Sequence, residues 1–308
     1  MEKRNERGGN AAWPRDIPPK GWKDIARRVW RSLSEDNVLL VAAGVTFYLL
    51  LALFPALGTF VALYGLVADP ATVAEHAGFL QGVMPGPATE LLSTEMTRLA
   101  GVRGGDLGVS AIIAALVSLW SANGGVKAIF QGVNIAYDEE EKRSFLRLTL
   151  VTLAFTLGAM ALLLFMLAAL AVLPAVLALL PLGPVVEVLA GLVRWPVILV
   201  AVGVSLALLY RFGPSRTPPA WRWVTWGSGL ATALWVAASV AFSVYLENFA
   251  DFGASYGAMA APIAFLLWVW ISVIVVLLGA EVNAEIEHQT AAGATEGRKD
   301  SVDRPAPK

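Results

Sequence analysis

The sequence lacks cysteine, has only two histidines and carries few charges. Its 308 residues are 57% hydrophobic and 15% charged, whereas about a quarter of the residues in a soluble domain are charged. Without cysteine there is no disulfide and no thiolate ligand for a metal. The two histidines, His76 and His288, are far apart in the chain. We therefore predict no metal site and no catalytic residue of these types.

Motifs for several kinds of enzyme are also missing. The sequence has no Walker A loop, no HExxH and no GxGD-like pattern. A nuclease needs clustered carboxylates for two metal ions, or a histidine pair for acid–base chemistry. The acidic run at 138–141 is most simply a solvated helix end, and no basic stripe with interleaved aromatic residues is present for RNA. These absences predict a protein that is not an enzyme, needs no cofactor and binds no nucleic acid.

Long hydrophobic runs are what the sequence does have. A helix needs roughly 20 apolar residues to cross a hydrocarbon core about 30 Å thick. Six runs satisfy this requirement: 38–67, 107–136, 145–173, 190–212, 222–247 and 256–283. Segment 69–105 is less apolar and predicts short helices on the outer face. Segment 174–189 is apolar but contains three prolines, which leaves a surface helix, a re-entrant helix and a seventh span open.

The predicted fold is an all-α polytopic membrane bundle of about six transmembrane helices, preceded by an amphipathic helix. Residues 1–19 and 288–308 are polar and are predicted to be disordered tails, and 37–287 form the membrane domain. In 20–36, apolar residues from Trp22 to Leu33 recur at helical spacing opposite lysines and arginines. This pattern is typical of a helix that lies in the membrane interface. A helix packed on the protein's own loops is the alternative.

Lysine and arginine are distributed unequally between the two sets of connections. The N-terminal segment, the loops 137–147 and 211–222 and the C-terminal tail together hold nineteen, whereas the opposite connections hold three. Connections rich in lysine and arginine stay in the cytoplasm. We therefore predict that both termini are cytoplasmic.

Several short sequence blocks resemble the YihY/BrkB family of bacterial inner-membrane proteins. The blocks occur in the family's order and cover residues 20 to 290: AAGVTFY at 42–48, LALFP at 51–55, LWSANGG at 119–125, NIAY at 134–137, YRFGP at 210–214, YG at 256–257 and GAEVNAE at 279–285. One departure is the stretch at 256–262, which ends in Pro262 where the family more usually has a Ser-Leu-Gly-Ala sequence.

The resemblance implies a multi-pass protein of the bacterial inner membrane with six helices and no settled biochemical activity. Members of the family were once called ribonuclease BN, a label regarded as a misassignment, and others were named for serum resistance in virulence. The resemblance therefore implies a family and a location, but no reaction.

Polar residues within the predicted spans are the candidates for function. On the second span, residues from Trp120 to Asp138 recur at three- and four-residue spacing and share one face. The candidates for a polar, inward-facing cavity are Thr46, Tyr48, Asn123, Lys127, Gln131, Asn134, Tyr210, Arg211, Glu281 and Asn283. A charge at a helix centre costs roughly 2.5–3.5 kcal/mol, so Lys127 and Glu281 are predicted to pair or to face this cavity. The alternatives are polar groups satisfied by packing, and ions that extend to the interface.

Small residues and one proline predict how the helices meet. Two ridges suited to close helix contact are formed by Gly124, Ala128 and Gly132 and by Gly253, Gly257 and Ala261. Pro55 lies inside the first span and predicts a kink or an unwound turn.

Two functions are consistent with this pattern. The first is transport or flipping of an envelope lipid or amphiphile through the polar cavity, with membrane lipids as the partners. The second is a non-catalytic scaffold or envelope assembly factor, which would use the small-residue ridges to bind itself or another membrane protein.

Overall fold

The computed structural model of the chain describes residues 8–9, 11, 13–64, 86–101, 109–178, 185–217, 219, 221–248 and 259–290. Within these ranges a 3₁₀ turn at Pro14–Asp16 precedes eight α-helices. They are α1 (Pro19–Glu35), α2 (Val38–Tyr64), α3 (Gly86–Gly101), α4 (Val109–Ala136), α5 (Phe145–Ala178), α6 (Val185–Phe212), α7 (Trp221–Asn248) and α8 (Ala260–Gln289). The predicted all-α polytopic bundle is confirmed.

The helix bounds agree closely with the predicted spans. α2 begins at Val38 and α4 ends at Ala136, as predicted, whereas α8 continues to Gln289, six residues beyond its predicted end. Among the described residues, four stretches are long and apolar enough to cross a membrane: Val38–Leu57, Phe145–Leu162, Val224–Asn248 and Ala260–Gln289. Pro196–Phe212 is a shorter apolar stretch. The number six for the crossings stays a prediction.

The described residues of segment 174–189 belong to the two helices that flank it. Its first residues continue α5 to Ala178, and its last residues begin α6 at Val185. Only 179–184 lies outside the described residues in this segment, and six residues are far fewer than the roughly 20 that a span requires. How this segment lies in the membrane stays a prediction. Farther upstream, α3 confirms a helix within the predicted segment 69–105.

Helix α8 lies at the centre of the bundle. It contacts α1, α2, α3, α4, α6 and α7. Its side chains Val273, Leu277 and Ala280 belong to a buried cluster that also includes Val133 of α4 and Tyr210 of α6. A helix that is hydrophobic on all sides is most stable when it is surrounded, and the sequence of α8 is apolar nearly throughout its first twenty residues.

Large apolar side chains cover the outside of the bundle. They include Leu40, Phe47, Leu116, Leu150 and Val200, all of which are exposed. In water a belt of this kind would be a large unfavourable patch, whereas in hydrocarbon it faces a solvent of its own polarity. The exposed belt therefore agrees with a membrane protein.

The amphipathic helix α1 is present and packs on α8. Ile25 and Val29 are buried in a cluster with Ile286 of α8. Trp22 lies near Trp226 of α7, with ring centroids 6.0 Å apart. The apolar stripe of α1 thus packs within the protein, against α8 and against Ala11 and Ile17 of the segment before α1, while Trp30 remains 76% exposed. The position of α1 in the membrane interface stays a prediction.

Candidate functional site

Helix α1, three connections and the end of α8 meet at one end of the bundle, which we call the basic end. It comprises α1 with its turn into α2, the turn 137–144 between α4 and α5, the segment 213–220 between α6 and α7, and the last two turns of α8. Side-chain contacts join these elements: Asn134 with Ser215, Arg216 with Glu287, and Arg28 with Glu285. The arginine-rich connections therefore share one side of the molecule.

Asn134 joins two connections at the basic end. Its carbonyl accepts a hydrogen bond from Glu139 N–H at 2.9 Å, and Ile135 accepts one from Asp138. Asp138 has a φ of 53°, so the end of α4 is a Schellman motif in which a left-handed residue closes the helix. The Asn134 side chain accepts from Ser215 N–H at 2.8 Å and donates to Glu141 at 3.1 Å. One amide thus holds the α4–α5 turn against the α6–α7 segment.

Arg143 and Glu141 complete this contact. Arg143 donates to both carboxylate oxygens of Glu141, and also to the carbonyls of Phe212 and Gly213 at the end of α6. Partial burial raises the pKa of Glu141, but hydrogen bonds from Arg143 and Asn134 outweigh burial and hold the pKa at about 2. Glu141 is therefore ionised throughout the physiological range and neutralises Arg143.

Two further arginines connect the basic end to α8. Arg216 donates to both oxygens of Glu287, at 2.7 and 2.9 Å, and its guanidinium lies 4.3 Å from the centre of the Tyr137 ring. Arg28 on α1 forms an ion pair with Glu285 and donates to Gln289 at 2.8 Å. The bidentate Arg216–Glu287 pair fixes orientation as well as charge, and together with the Arg28 contacts it holds α8 against its neighbours.

Tyr210 and Asn283, two of the predicted polar residues, are fully buried and hydrogen-bonded to backbone. The Tyr210 hydroxyl donates to the carbonyl of Val276 at 2.8 Å. The Asn283 amide accepts from Gly227 N–H at 2.8 Å and donates to the carbonyl of Val224 at 3.3 Å. These bonds join α6 and α7 to α8.

Glycine makes both contacts sterically feasible. A Cβ atom at Gly227 would collide with the Asn283 amide, and one at Gly279 would collide with the Tyr210 hydroxyl. The polar side chains therefore occupy the space that the missing side chains leave, as expected for close helix packing in membranes.

Lys127 and Glu281 do not pair, so that part of the prediction is wrong. The Lys127 ammonium donates to Thr149 of α5 at 3.0 Å and lies 5.1 Å from the centres of the Trp120 and Phe145 rings. Glu281 is 2% exposed and faces Asp36 at the turn between α1 and α2. The two side chains do not meet because Lys127 faces α5, whereas Glu281 faces the turn between α1 and α2.

The remaining predicted polar residues are divided among separate contacts. Thr46 donates to the carbonyl of Ala42 in its own helix, and Asn123 accepts from Thr156 of α5 at 3.3 Å. Arg211 donates to the carbonyl of Pro219 at 2.6 Å. Tyr48 and Gln131 are exposed. Several of the ten side chains therefore bond to a neighbouring helix or to their own backbone, whereas one buried polar atom each of Asn123, Arg211 and Glu281 has no hydrogen-bond partner among the described residues. A common cavity stays a prediction.

The small-residue ridge of α4 includes Gly125 in place of the predicted Gly124. A Cβ atom at Gly132 would lie 3.1 Å from Leu277, and one at Gly125 would lie 3.0 Å from Ala52, whereas nothing lies within 4 Å at Gly124. Ala128 is buried as predicted. Gly253 and Gly257 lie outside the described residues, and Ala261 is partly buried. Helix α2 is continuous through Pro55, so the proline unwinds no turn.

An apolar groove runs along the outer surface between α5 and α6. It has a volume of about 870 Å³ and extends from Pro196 to Phe212 along α6. Its lining on α5 includes Ala154, Gly158 and Leu162. The seventeen residues from Pro196 to Phe212 span about 24 Å of helix. The groove is therefore longer than one leaflet of hydrocarbon, which is about 15 Å thick.

Cationic side chains lie where this groove reaches the basic end. The Arg211 guanidinium is 5.5 Å from the centre of the Phe212 ring, and Phe212 lines the groove. Arg147 is exposed and precedes Ala154 by seven residues, so it lies two turns from that residue on the same face of α5. The groove thus combines a long apolar wall with positive charge at one end.

Sequence reasoning missed most of the partners at the basic end. The sequence indicated only a positive charge that sets orientation for Arg28, Arg143 and Arg216. It predicted no role for Asp36, Ser215 and Gly227. The signal for Asp36 and Ser215 lies in contacts between distant segments, which spacing along the chain does not reveal. Among the described residues, no group of three or more His, Cys, Asp or Glu side chains could hold a metal ion.

Comparisons with known proteins agree with this architecture. A family model described as "Virulence factor BrkB" matches residues 29–304. YfkH of Bacillus subtilis, whose name calls it ribonuclease-like, is 30% identical over 79% of this chain and 88% of its own length. A UPF0761 membrane protein of Verminephrobacter eiseniae is 28% identical over 92% of this chain and 66% of its own length. One from Albidiferax ferrireducens is 26% identical over 93% and 70%.

No solved structure matches the chain. The chain spans about two thirds of the length of the two UPF0761 proteins. The family model covers nearly the whole bundle, from the second half of α1 to beyond the end of α8. The chain is a multi-pass helical membrane protein and belongs to the BrkB family, as the resemblance of its sequence blocks predicted.

Proposed function

We propose that the protein binds an envelope lipid or another anionic amphiphile and moves it between the leaflets of the bacterial inner membrane. The observation that supports this proposal is the apolar groove between α5 and α6, with Arg147 and Arg211 at its basic end. An amphiphile has one charged end and a long apolar part, and the groove offers a partner for each.

The dimensions and exposure of the groove support this class of ligand. Gly158, Val200 and Val204 line it and are exposed, so a lipid can enter sideways from the membrane. A groove about 24 Å long reaches beyond the bilayer midplane, which is what movement between leaflets requires. An anionic headgroup would meet Arg147, and each phosphate–cation contact near a membrane contributes on the order of 1 kcal/mol.

The orientation of the protein follows the positive-inside rule. We place the basic end in the cytoplasm, with both termini on that side, because the lysines and arginines are concentrated there. The headgroup cations of the groove then face the inner leaflet, and loading from this leaflet is the expected first step.

Filling the groove tests the proposal. Gly158→Phe places an aromatic ring in the groove, and Gly44→Phe is its matched control. Both glycines are exposed, and nothing lies within 4 Å of either Cβ position. In proteoliposomes we expect Gly158→Phe to lower the movement of a fluorescent anionic phospholipid at least about tenfold, and Gly44→Phe to leave it unchanged. Equal rates in both variants and the wild type, or no movement above protein-free vesicles, would contradict the proposal.

The charged end has its own test. We expect Arg147→Gln to lower the retention of anionic phospholipid in native mass spectrometry, because it removes the cation in line with the groove. Arg27→Gln is the control, since Arg27 is also exposed and lies on α1 at the basic end. Equal retention by both variants would remove the headgroup role from Arg147.

A scaffold is the second candidate function. The observation that favours it is Gly124, which lies on α4 with nothing within 4 Å of its Cβ position and could therefore meet a helix of another subunit. Gly124→Leu would then abolish a homo-oligomer or a partner complex without changing the groove. Arg28, Arg143 and Arg216 are engaged with carboxylates of the protein itself, and nuclease activity is not proposed.

A further inference from the structure

Two carboxyl groups from different elements face each other at the basic end. Asp36 follows α1, and its N–H donates to the carbonyl of Ser32 at 2.9 Å, which fixes the turn. Glu281 extends from α8, and the two carboxyl groups are within hydrogen-bond reach. The Glu281 side chain is buried, and its Oε1 atom has no hydrogen-bond partner among the described residues.

The charged groups around this pair are negative. Asp138 faces it from the turn between α4 and α5, Glu285 from the next turn of α8, and Glu35 adjoins Asp36. The nearby cation on α1, Arg28, is engaged with Glu285 and Gln289. Lys127 on α4 is bonded to Thr149. Among the described residues, no cation forms an ion pair with Glu281 or Asp36.

Ionisation of both of two adjacent carboxyl groups in such a place is unfavourable. A buried charge requires a partner, and two carboxylates that share a site retain one proton because their charges repel. Burial raises the pKa of Asp36, and the charges of Asp138 and Glu35 add to the rise, against an opposing hydrogen bond with Glu281.

We propose that Asp36 and Glu281 together bind one proton and form a protonation site that connects the α1–α2 turn to helix α8. The proton lies in a hydrogen bond between the two carboxyl groups. Its release leaves two facing negative charges, which separate the turn from the central helix. The site would therefore make the position of α1 depend on protonation from the basic end, and it does not rest on the lipid proposal.

Infrared spectroscopy of the full chain in lipid nanodiscs tests this proposal. We expect the wild type to show the C=O stretch of a protonated carboxylic acid at neutral pH, and Glu281→Gln to lose that band. Asp36→Asn keeps a hydrogen-bond partner for Glu281 but removes the shared negative charge. It should move the pH at which the band disappears downward by more than about one unit. Glu140→Gln, at an exposed position in the turn 137–144, should leave the band and its titration unchanged.

Three outcomes would overturn the proposal. The wild type could show no such band at neutral pH, which requires no variant to fold. The band could persist in Glu281→Gln, which would assign it to another residue. It could also vanish in Glu281→Gln but keep its titration in Asp36→Asn, which would show that Glu281 holds the proton without Asp36. Lipid movement in proteoliposomes is measured separately, so failure of one proposal leaves the other intact.

Discussion

At the scale of single residues, buried polar side chains hold the helices together by bonding to backbone. Asn283 spans from α8 to the backbone of α7, and Tyr210 spans from α6 to a carbonyl of α8. Each bond requires a helix without a side chain at the point of contact, and Gly227 and Gly279 meet this requirement. A polar side chain and a glycine on the facing helix thus act as one unit, which gives a direct prediction.

We predict that Gly227→Ala destabilises the protein and that Gly229→Ala does not. A methyl group at Gly227 would collide with the Asn283 amide, whereas nothing lies within 4 Å at Gly229 on the same helix. Overpacking of this kind costs about 1–3 kcal/mol. Thermal unfolding in detergent, followed by size-exclusion chromatography, measures the difference. Equal stability of the two variants would mean that α7 and α8 can separate without loss.

The sequence identified several of the buried polar residues, but not their partners. Asn134, Tyr210, Glu281 and Asn283 were all predicted as interior candidates, and all four are buried. The predicted pairing of Lys127 was wrong because residue number predicts only how deep a side chain lies along its helix. It does not predict which neighbouring helix the side chain meets. The partner of Lys127, Thr149, lies only about one turn into the next helix.

At the scale of elements, α1 is held to α8 by an apolar stripe and by Arg28. We predict that Ile25→Ala releases α1 and increases its cleavage by trypsin, because burial of this side chain is worth about 2–5 kcal/mol. Ile25 is buried against Ile286, whereas Trp30 on the other side is exposed. Trp30→Ala is therefore the control and should leave the cleavage rate unchanged. Faster cleavage in both variants would show that α1 is held by the membrane and not by α8.

The turn 137–144 should lose stability in acid. The pKa of Glu141 is held at about 2, below its ordinary value of 4.5. A carboxylate with a lowered pKa stabilises the folded state fully above 4.5, and this stabilisation is lost as the pH falls toward 2. We expect the wild type to be more stable than Glu141→Gln at neutral pH, by about 1 kcal/mol or less because Glu141 is partly exposed.

Thermal unfolding of both proteins between neutral pH and about 2 measures this change. The gap between wild type and Glu141→Gln should close as the pH falls through the interval given by the two pKa values. Glu140→Gln, at the exposed neighbouring position, serves as the control and should show no such change. A gap that stays constant with pH would mean that the Arg143 contact does not depend on the charge of Glu141.

The helices themselves followed from hydropathy, but their arrangement did not. Each hydrophobic run predicted a helix, since backbone groups in hydrocarbon must be satisfied within the segment. The central position of α8 is visible only in retrospect. The sequence of α2 is as apolar as that of α8, yet α2 exposes Leu40, Phe47 and Leu51. Leu277 and Asn283 of α8 lie against Gly132 and Gly227, whereas Ala52 of α2 lies against Gly125. Hydropathy contains no information on which faces meet.

At the scale of the whole molecule, the unequal distribution of charge sets the orientation. The connections at the basic end contact one another directly, through Asn134 with Ser215 and Arg216 with Glu287. They must therefore lie on one side of the membrane, whichever side that is. Because arginine and lysine are retained in the cytoplasm, we predict that this side is cytoplasmic.

A chain without cysteine makes this prediction simple to test, because each introduced cysteine is its only thiol. Thr217→Cys lies between α6 and α7 at the basic end, and Thr94→Cys lies on α3; both threonines are exposed. In spheroplasts, a membrane-impermeant maleimide should label Thr94→Cys directly and Thr217→Cys only after permeabilisation. The reverse pattern would invert the molecule and place the cations of the groove in the outer leaflet. Equal labelling of both before permeabilisation would mean that α3 and the α6–α7 segment lie on the same side of the membrane. The chain would then cross the membrane an even number of times between them, whereas the predicted spans give three crossings.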